Sequence, residues 1–418
     1  MRSEPNRASK GHGYTAALRT SVRSCRAGFA ADCSVSPLRE LLLAGGLVPL
    51  LVLYAAGCRG ERVNGHARDG SDPGIAWTVD TPAELRIGAR QNGSDALFFV
   101  TAAVRLAHGD VAVADAGNRR VDVFDATGRK VRSLGREGRG PGEFTHPSWL
   151  GVRGDTLLVW DMVQSRLTRF DTAGSLIATE PPVSDLGSFA RVVGQRDDGA
   201  LLALGAASGG WRARAYRDSL RIVWLGPDGR RDTVATVPGD EQFGTRSADG
   251  RGTETATLPF GRRTVVATHR GRVYLGTADS PEVVASAAGT RWDTVAVAPT
   301  PPAVTRKDVD DYWSRLLNVG GRGPAGPPEG IEYPDRFPPF VDLRVAPGGD
   351  TWVALPLRPS EWSAGSRWLV FAPDGRLRGR VEIPGRNRML QVGNGWILVA
   401  ETDPEERQMV VKYALSAP

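Results

Sequence analysis

The sequence predicts an all-β fold: a six-bladed β-propeller of four-stranded antiparallel blades, closed by an N-terminal strand that completes the last blade, with one short helix in an inter-blade insertion. The first observation is a repeat. Short Gly-containing turns (HGD at Gly109, RGD at Gly154, DDG at Gly199, HRG at Gly271, GGD at Gly349, GNG centred on Asn394) recur at intervals of 45, 45, 72, 78 and 45 residues. Units of about 40–45 residues are blade-sized, and the two long intervals read as the same unit carrying insertions. The second is the content of each unit. Every turn precedes a strand-like run (DVAVAD, DTLLVWD, ALLALG, RVYLGT, DTWVAL, GWILVAE), and in the first five units a second strand ends in another tight turn, at 125–128, 171–174, 227–229, 287–289 and 373–375. Gly and Asp at these turns suggest two-residue hairpins, which need positive φ. The third is closure. The sixth unit runs out of chain after KYALSAP, while an orphan strand, AELRIG, precedes the first unit and supplies the missing outer strand, removing an open edge.

Composition limits the function classes. The chain has 418 residues, 41% hydrophobic and 24% charged, too apolar for a disordered chain. Its net charge of +6 is concentrated at the start: the first 57 residues hold 7 Lys/Arg against 3 Asp/Glu, leaving 46 against 44 in the rest. Such a mixed body argues against nucleic acid as a partner. Cys25, Cys33 and Cys58 are the only cysteines, so the propeller region has neither a disulfide nor a cysteine metal site.

The N-terminal region reads as an address. PLRELLLAGGLVPLLVLYAAGC, ending at Cys58, has a charged lead, an apolar stretch from Leu41 to Ala56, and small residues before a cysteine. This pattern is that of a bacterial lipoprotein signal, shorter than a bilayer span, and Cys58 would become the lipidated first residue. The expected organisation is 1–37 a non-native or disordered extension, 38–57 a signal peptide, 58–75 a flexible tether, and 76–418 the propeller. The expected location is the cell envelope, lipid-anchored and facing the periplasm or outer membrane.

DAGNRRVDVFDATG (115–128) resembles an NHL-type repeat, and GREGRGPGEFTHP (135–147) resembles the signature segment of six-bladed propeller lipoproteins of environmental bacteria. The resemblance spans roughly 76–418, strongest in the first two units. It implies the fold and an envelope location, and little chemistry. SLRIVWLGPDG and VVASAAGT, in the third and fourth units, lack the Asp-x-x-Asn-x-Arg turn, so blade number there rests on spacing.

In a four-stranded blade the second-to-third loops and the connections between blades share one face. All long loops belong to that set: 206–218, 238–262, 298–339 and 356–366. Insertions gather on the binding face of repeat proteins, so this face is expected to dock any ligand. The largest insertion carries the predicted helix, TRKDVDDYWSRLLNVGG, with a Thr305/Asp308 capping box, a stop at Asn318 and Gly320, and Val309, Tyr312, Trp313, Leu316 and Leu317 on one side. That stripe packs the helix onto the propeller or faces a ligand.

The candidate binding residues are Glu143, His146, Trp149, Trp211, Arg212, Arg214, Arg358 and Trp362. Gly138, Gly140, Pro141 and Gly142 bring Glu143, His146 and Trp149 to the inner strand of the second unit, as a binding corner or as a tight crossing in which Glu143 caps backbone donors. Trp211 with Arg212 and Arg214, and Trp362 with Arg358, offer flat rings and guanidinium forks suited to sugars, carboxylates or peptides, or fold back as a plug. Asp115, Asn118 and Asp161 read as turn-closing side chains. Gly321, Gly323 and Gly326 spell GxGxxG without the strand and helix a dinucleotide needs. Arg153, Gly154 and Asp155 spell RGD in a hairpin turn.

Catalytic motifs are lacking: there is no HExxH, GxSxG or P-loop. His66, His108, His146 and His269 lie too far apart in the scheme to form a metal cluster. No cofactor is expected, although a channel divalent cation held by carboxylates stays open. The expected function is therefore a monomeric envelope lipoprotein that binds a protein, peptide or glycan on its long-loop face, without catalysis. The alternatives are a metal-dependent lactonase or lyase at the channel mouth, and a structural spacer.

Overall fold

The computed structural model describes residues 74–88, 96–206, 212, 214–246, 253–287, 289–318, 330–403 and 405–416, all within one compact unit, Asn64–Pro418. Among them, six antiparallel sheets follow one another in chain order as blades. Blade 1 runs Val100–Arg105, Val111–Asp115, Arg120–Phe124 and Lys130–Leu134. Blade 2 runs Pro147–Arg153, Thr156–Asp161, Arg166–Asp171 and Leu176–Thr179. Blade 4 (Val265–His269, Arg272–Gly276, Glu282–Ser286, Asp293–Val297) and blade 5 (Asp342–Val345, Thr351–Ala354, Gly365–Phe371, Leu377–Pro384) are also four-stranded meanders. The expected six-bladed propeller is the fold.

The second strand of each blade shows why burial, not alternation, marks these sequences. Ala112 and Ala114 pack toward blade 2, while Val111 and Val113 pack toward blade 6. Leu201 and Ala203 face blade 2, and Ala200, Leu202 and Leu204 face blade 4. Both sides of each sheet are covered, so apolar residues run continuously instead of alternating with polar ones. Six hydrophobic clusters result, one between each pair of neighbouring blades, including blade 6 against blade 1.

Blade 6 (Asn387–Val392, Trp396–Thr402, Gln408–Ser416) is completed from the N-terminus, as expected, but by two short strands. Thr78–Val79 pairs with Ser416 and Leu415, and Leu85–Ile87 pairs with Lys412, Val411 and Val410. The same segment also reaches blade 5, where Ala76 N–H donates to the Arg380 carbonyl at 2.7 Å and Arg380 N–H donates to that of Gly74 at 2.9 Å.

Two expectations need correction. Two-residue turns occur after Arg153, His269 and Gly393, but those at Gly109, Gly128, Gly174, Gly199, Gly229, Gly349 and Gly375 are three-residue loops with the glycine at positive φ. In the turn at 125–129, Asp125 N–H donates to the Arg129 carbonyl and the Asp125 carboxylate accepts from Thr127 and Arg129, so a short polar side chain closes the wider loop. Blade 3 departs further. Besides Arg191–Gln195 and Leu201–Ala206 it has long strands Tyr216–Leu225 and Arg231–Arg246 and a fifth, Thr253–Thr257. Residues 216–218, 238–246 and 253–257, expected as loop, are thus part of a β-ribbon, as its β-branched content allows.

The six inner strands form a closed ring around the axis. Side chains bond neighbouring blades there: Thr101 Oγ1 donates to the Pro147 carbonyl at 2.6 Å, Gln195 Nε2 to that of Val152 at 2.5 Å, and Arg344 to that of Met389 at 3.1 Å. Arg388 donates to the carbonyls of Val100 at 2.5 Å and Thr101 at 3.2 Å. Among the described residues no helix is long and apolar enough to cross a membrane.

Candidate functional site

The glycine corner between blades 1 and 2 is a self-closed loop. Arg136–Glu137 and Glu143–Phe144 pair in parallel, and the Glu143 carboxylate accepts from Gly140 N–H at 2.8 Å and Arg136 Nε at 2.9 Å. The Gly140 bond, then Arg136, holds that carboxyl below its ordinary range. At Gly138, with φ +151°, a side chain would be strained and would push the Glu143 carboxylate aside. Arg166 of blade 2 completes the enclosure by donating to the carbonyls of Arg139, Gly140 and Glu143.

Asp161 anchors the next step. Only 1% exposed, it accepts from the N–H groups of Thr145 (2.6 Å), His146 (2.8 Å), Val163 (3.0 Å) and Gln164 (2.8 Å). Asp115 holds Phe98 and Asn118 in the same way in blade 1. His146 rests against the exposed Phe99 ring at 5.6 Å, and burial pushes its imidazole below the usual range against the opposing Asp161 charge. Trp149 packs with the blade 2 and 3 core. Glu143, His146 and Trp149 are thus each engaged with different partners, Glu143 with the loop's own backbone.

Concavity lies elsewhere on the long-loop face, over blades 3 to 5. A cleft of about 250 Å³ is walled by prolines with Phe337, Leu355, Arg358, Glu361 and Arg367. An adjoining cleft of about 590 Å³ includes Leu258, Arg262, Asp279, Glu332, Tyr333 and Phe337. They share Thr300, Pro301, Phe337 and Pro339.

The helix, α1 (Arg306–Asn318), packs behind this region against Phe260, Tyr333 and Arg358. Its capping box is as expected: Thr305 N–H donates to Asp308 Oδ2 at 2.8 Å, and Asp308 N–H donates to Thr305 Oγ1 at 3.3 Å. Tyr312 and Trp313 face the propeller. Phe260 is the hub, 5.5 Å from Tyr312, 6.4 Å from Tyr333 and 5.0 Å from Phe337, and Trp313 Nε1 donates to Tyr333 Oη at 2.7 Å. Trp362 meets Tyr312 edge-on at 5.7 Å and donates to the Leu357 carbonyl. Arg358 lies 5.6 Å over the Phe337 ring and pairs with Asp308 at 2.5 Å. Arg358 and Trp362 thus come together in a packed aromatic and cationic corner, of which Arg358 lines the smaller cleft.

Ion pairs brace the larger cleft. Arg262 pairs with Glu241 and Asp279, both at 2.9 Å, and Arg217, 8% exposed, reaches the same Asp279 oxygen at 2.8 Å. Burial pushes the Arg217 guanidinium down, with Asp279 opposing, while the bond to Glu241 raises that of Arg262. A half-buried network with several partners per charge fixes geometry more than it adds stability.

Arg212 and Arg214 are exposed beside the blade 3 ribbon, with Arg212 4.9 Å over Tyr216. Trp211 and Cys58 lie outside the described residues. The sequence reading missed Phe260, Tyr333, Phe337, Arg217 and Arg262, since the cluster is assembled from segments tens of residues apart. The prolines around Phe337 were its one available signal. Among the described residues, no three His, Cys, Asp or Glu side chains group as metal ligands.

A family model described as a 6-bladed beta-propeller matches residues 94–186, within the first two blades. No curated protein matches the sequence. Among solved structures, the chain is similar to a member of the duf4221 family from Bacteroides vulgatus, at 10% identity and a TM-score of 0.49, covering 81% of this chain and 99% of that one. It is also similar to a calcium-binding protein, regucalcin, from Agrobacterium tumefaciens, at 14% identity and a TM-score of 0.40, covering 82% and 96%. Virginiamycin B lyase from Staphylococcus aureus follows at 11% identity and a TM-score of 0.40, covering 75% and 94%. Likenesses at this level carry no activity to the chain.

Proposed function

We propose that the protein is a lipid-anchored envelope module that binds a protein, peptide or glycan partner in the twin cleft of its long-loop face. The observation that supports this is the coincidence of insertion and concavity: the ribbon of blade 3, the segments 299–302 and 332–339 and the loop at 355–367 surround two adjoining clefts of about 250 and 590 Å³. The larger is of the size that takes ligands, with apolar walls and a few fixed charged groups. A mere spacer has no need of such a cleft. Lipidation at Cys58 would hold the propeller at a membrane through the 58–75 tether.

Photo-reactive residues installed in the full chain at Thr300 or Glu332 in the cleft, and at exposed Ala126 on the short-turn face, test the binding reading in cells. Adducts confined to the cleft positions are expected. Equal labelling at Ala126, or none at Thr300 and Glu332, would overturn it. Replacing Cys58 with Ser is expected to release the protein from the membrane fraction; unchanged membrane association would remove the anchor from the proposal.

A further inference from the structure

The strands that line the propeller axis carry an unbalanced charge. The inner strands read VTAAVR, PSWLGVR, RVVGQ, VVATH, DLRV and NRMLQV. They hold five arginines, Arg105, Arg153, Arg191, Arg344 and Arg388, against one carboxylate, Asp342. The imbalance is local, because the chain beyond residue 57 is nearly neutral overall. Elsewhere the described arginines commonly have acidic partners, as in the cleft network.

The charge is sharpest where blades 5 and 6 meet near the long-loop end of the channel. Arg344 pairs with Asp342 on its own strand at 2.9 Å and donates to the carbonyls of Leu343 and Met389. Its Nε is buried and has no hydrogen-bond partner. Arg388 donates only to carbonyls, and no carboxylate lies within ion-pair distance of it among the described residues. Two guanidinium groups thus share one carboxylate. Arg388 is reached by water yet hemmed in by protein, the condition of a group lining a channel: burial lowers its pKa, Arg344 lowers it further, and Asp342 opposes. A guanidinium stays protonated regardless, so one positive charge remains without a partner where the low-dielectric walls strengthen its field.

We propose that Arg344 and Arg388 form an anion site in the channel that takes a carboxylate group. A planar two-oxygen anion suits a guanidinium and supplies the missing counter-charge. The carboxylate comes from a free organic acid or from an acidic side chain of a bound partner.

Chloride line broadening in nuclear magnetic resonance of the full chain, with acetate as competitor, tests this. The wild type is expected to broaden the chloride line, and acetate to abolish the effect. Arg344→Gln and Arg388→Gln should each weaken chloride affinity roughly tenfold, since one charge-assisted contact is lost. Arg388→Lys should retain chloride broadening but lose the preference for acetate, a separation that a purely structural bond between blades would not produce. Arg291→Gln, at an exposed arginine beside Asp293 in blade 4, should change nothing. Stronger competition by a capped Gly-Asp-Gly peptide than by acetate assigns the site to a partner's side chain, and the reverse order assigns it to a free acid. If Arg388→Gln fails to fold, Arg344→Gln carries the test. No broadening by the wild type, or broadening unchanged in both Gln variants, overturns the proposal.

Discussion

Replacing Asp161 with Ala removes a buried carboxylate that bonds both sides of the blade 1 to blade 2 crossing. Its carboxylate accepts four backbone N–H groups, from Thr145, His146, Val163 and Gln164, at 2.6 to 3.0 Å, and is 1% exposed. Bonds to a charged acceptor contribute about 1.5–3 kcal/mol each in isolation, and donors left unsatisfied cost about 1–3 kcal/mol each. The four share one side chain and water can enter from the loop face, so the sum is not additive, and a loss of about 4 kcal/mol is expected, in the tail that marks a broken buried network. With an unfolding entropy of roughly 2 cal/mol/K per residue over about 340 residues, this lowers Tm by about 6 °C. Calorimetry and urea unfolding of the full chain at neutral pH measure it, and hydrogen exchange at the four amides locates it. Asp125→Ala, at an exposed turn whose carboxylate accepts from Thr127 and Arg129, is the control and should cost much less. An Asp161→Ala variant no less stable than Asp125→Ala, or with undiminished protection at those amides, would refute the reasoning.

Closure and the helix dock give two further tests. Ile87, fully buried between blades 6 and 1, should cost about 2–5 kcal/mol when truncated to Ala, and deleting 74–88 should uncover the edge of Gln408–Ser416 and drive aggregation visible by size exclusion; a monomeric, equally stable deletion would contradict the closure. At Asp308, burial pushes the carboxyl up, but the bonds from Thr305 and Arg358 outweigh it and hold the pKa below its ordinary value. A depressed carboxylate stabilises fully above its unfolded pKa, near 4, and loses that contribution as pH falls through the folded value. Hydrogen exchange in α1 should therefore accelerate as pH falls below about 4, relative to Asp308→Asn, which should show no such step.

How much was legible follows from the range of each interaction. The turn spacing gave six blades because a short Gly turn is decided by a few adjacent residues, and the three equal intervals repeat one local solution. The Thr305/Asp308 box was readable for the same reason, both partners lying on one helical turn. Orphan AELRIG signalled closure because an unpaired strand at one end matched a missing one at the other, although the second closing strand, Thr78–Val79, lies upstream of it.

The candidate sites divide along the same line. Asp161 and Glu143 bond within some twenty residues, so their loop-closing chemistry could be stated from sequence. Phe260, Tyr312, Phe337 and Trp362 meet only after three insertions fold over the same face. The 206–218 and 238–262 segments had no repeat to compare with, and their β-ribbon came from pairing with each other. Above all, the charge of the channel was invisible in composition. Arginines spread over nearly 290 residues are neighbours only because six inner strands are brought around one axis. Sequence by itself determined the number of blades and the places of their Gly turns, since these are set by local backbone preference and by burial on both sides of a strand. Tertiary structure decided the cleft and the channel field, because concavity and summed charge exist only between segments that the chain order keeps apart.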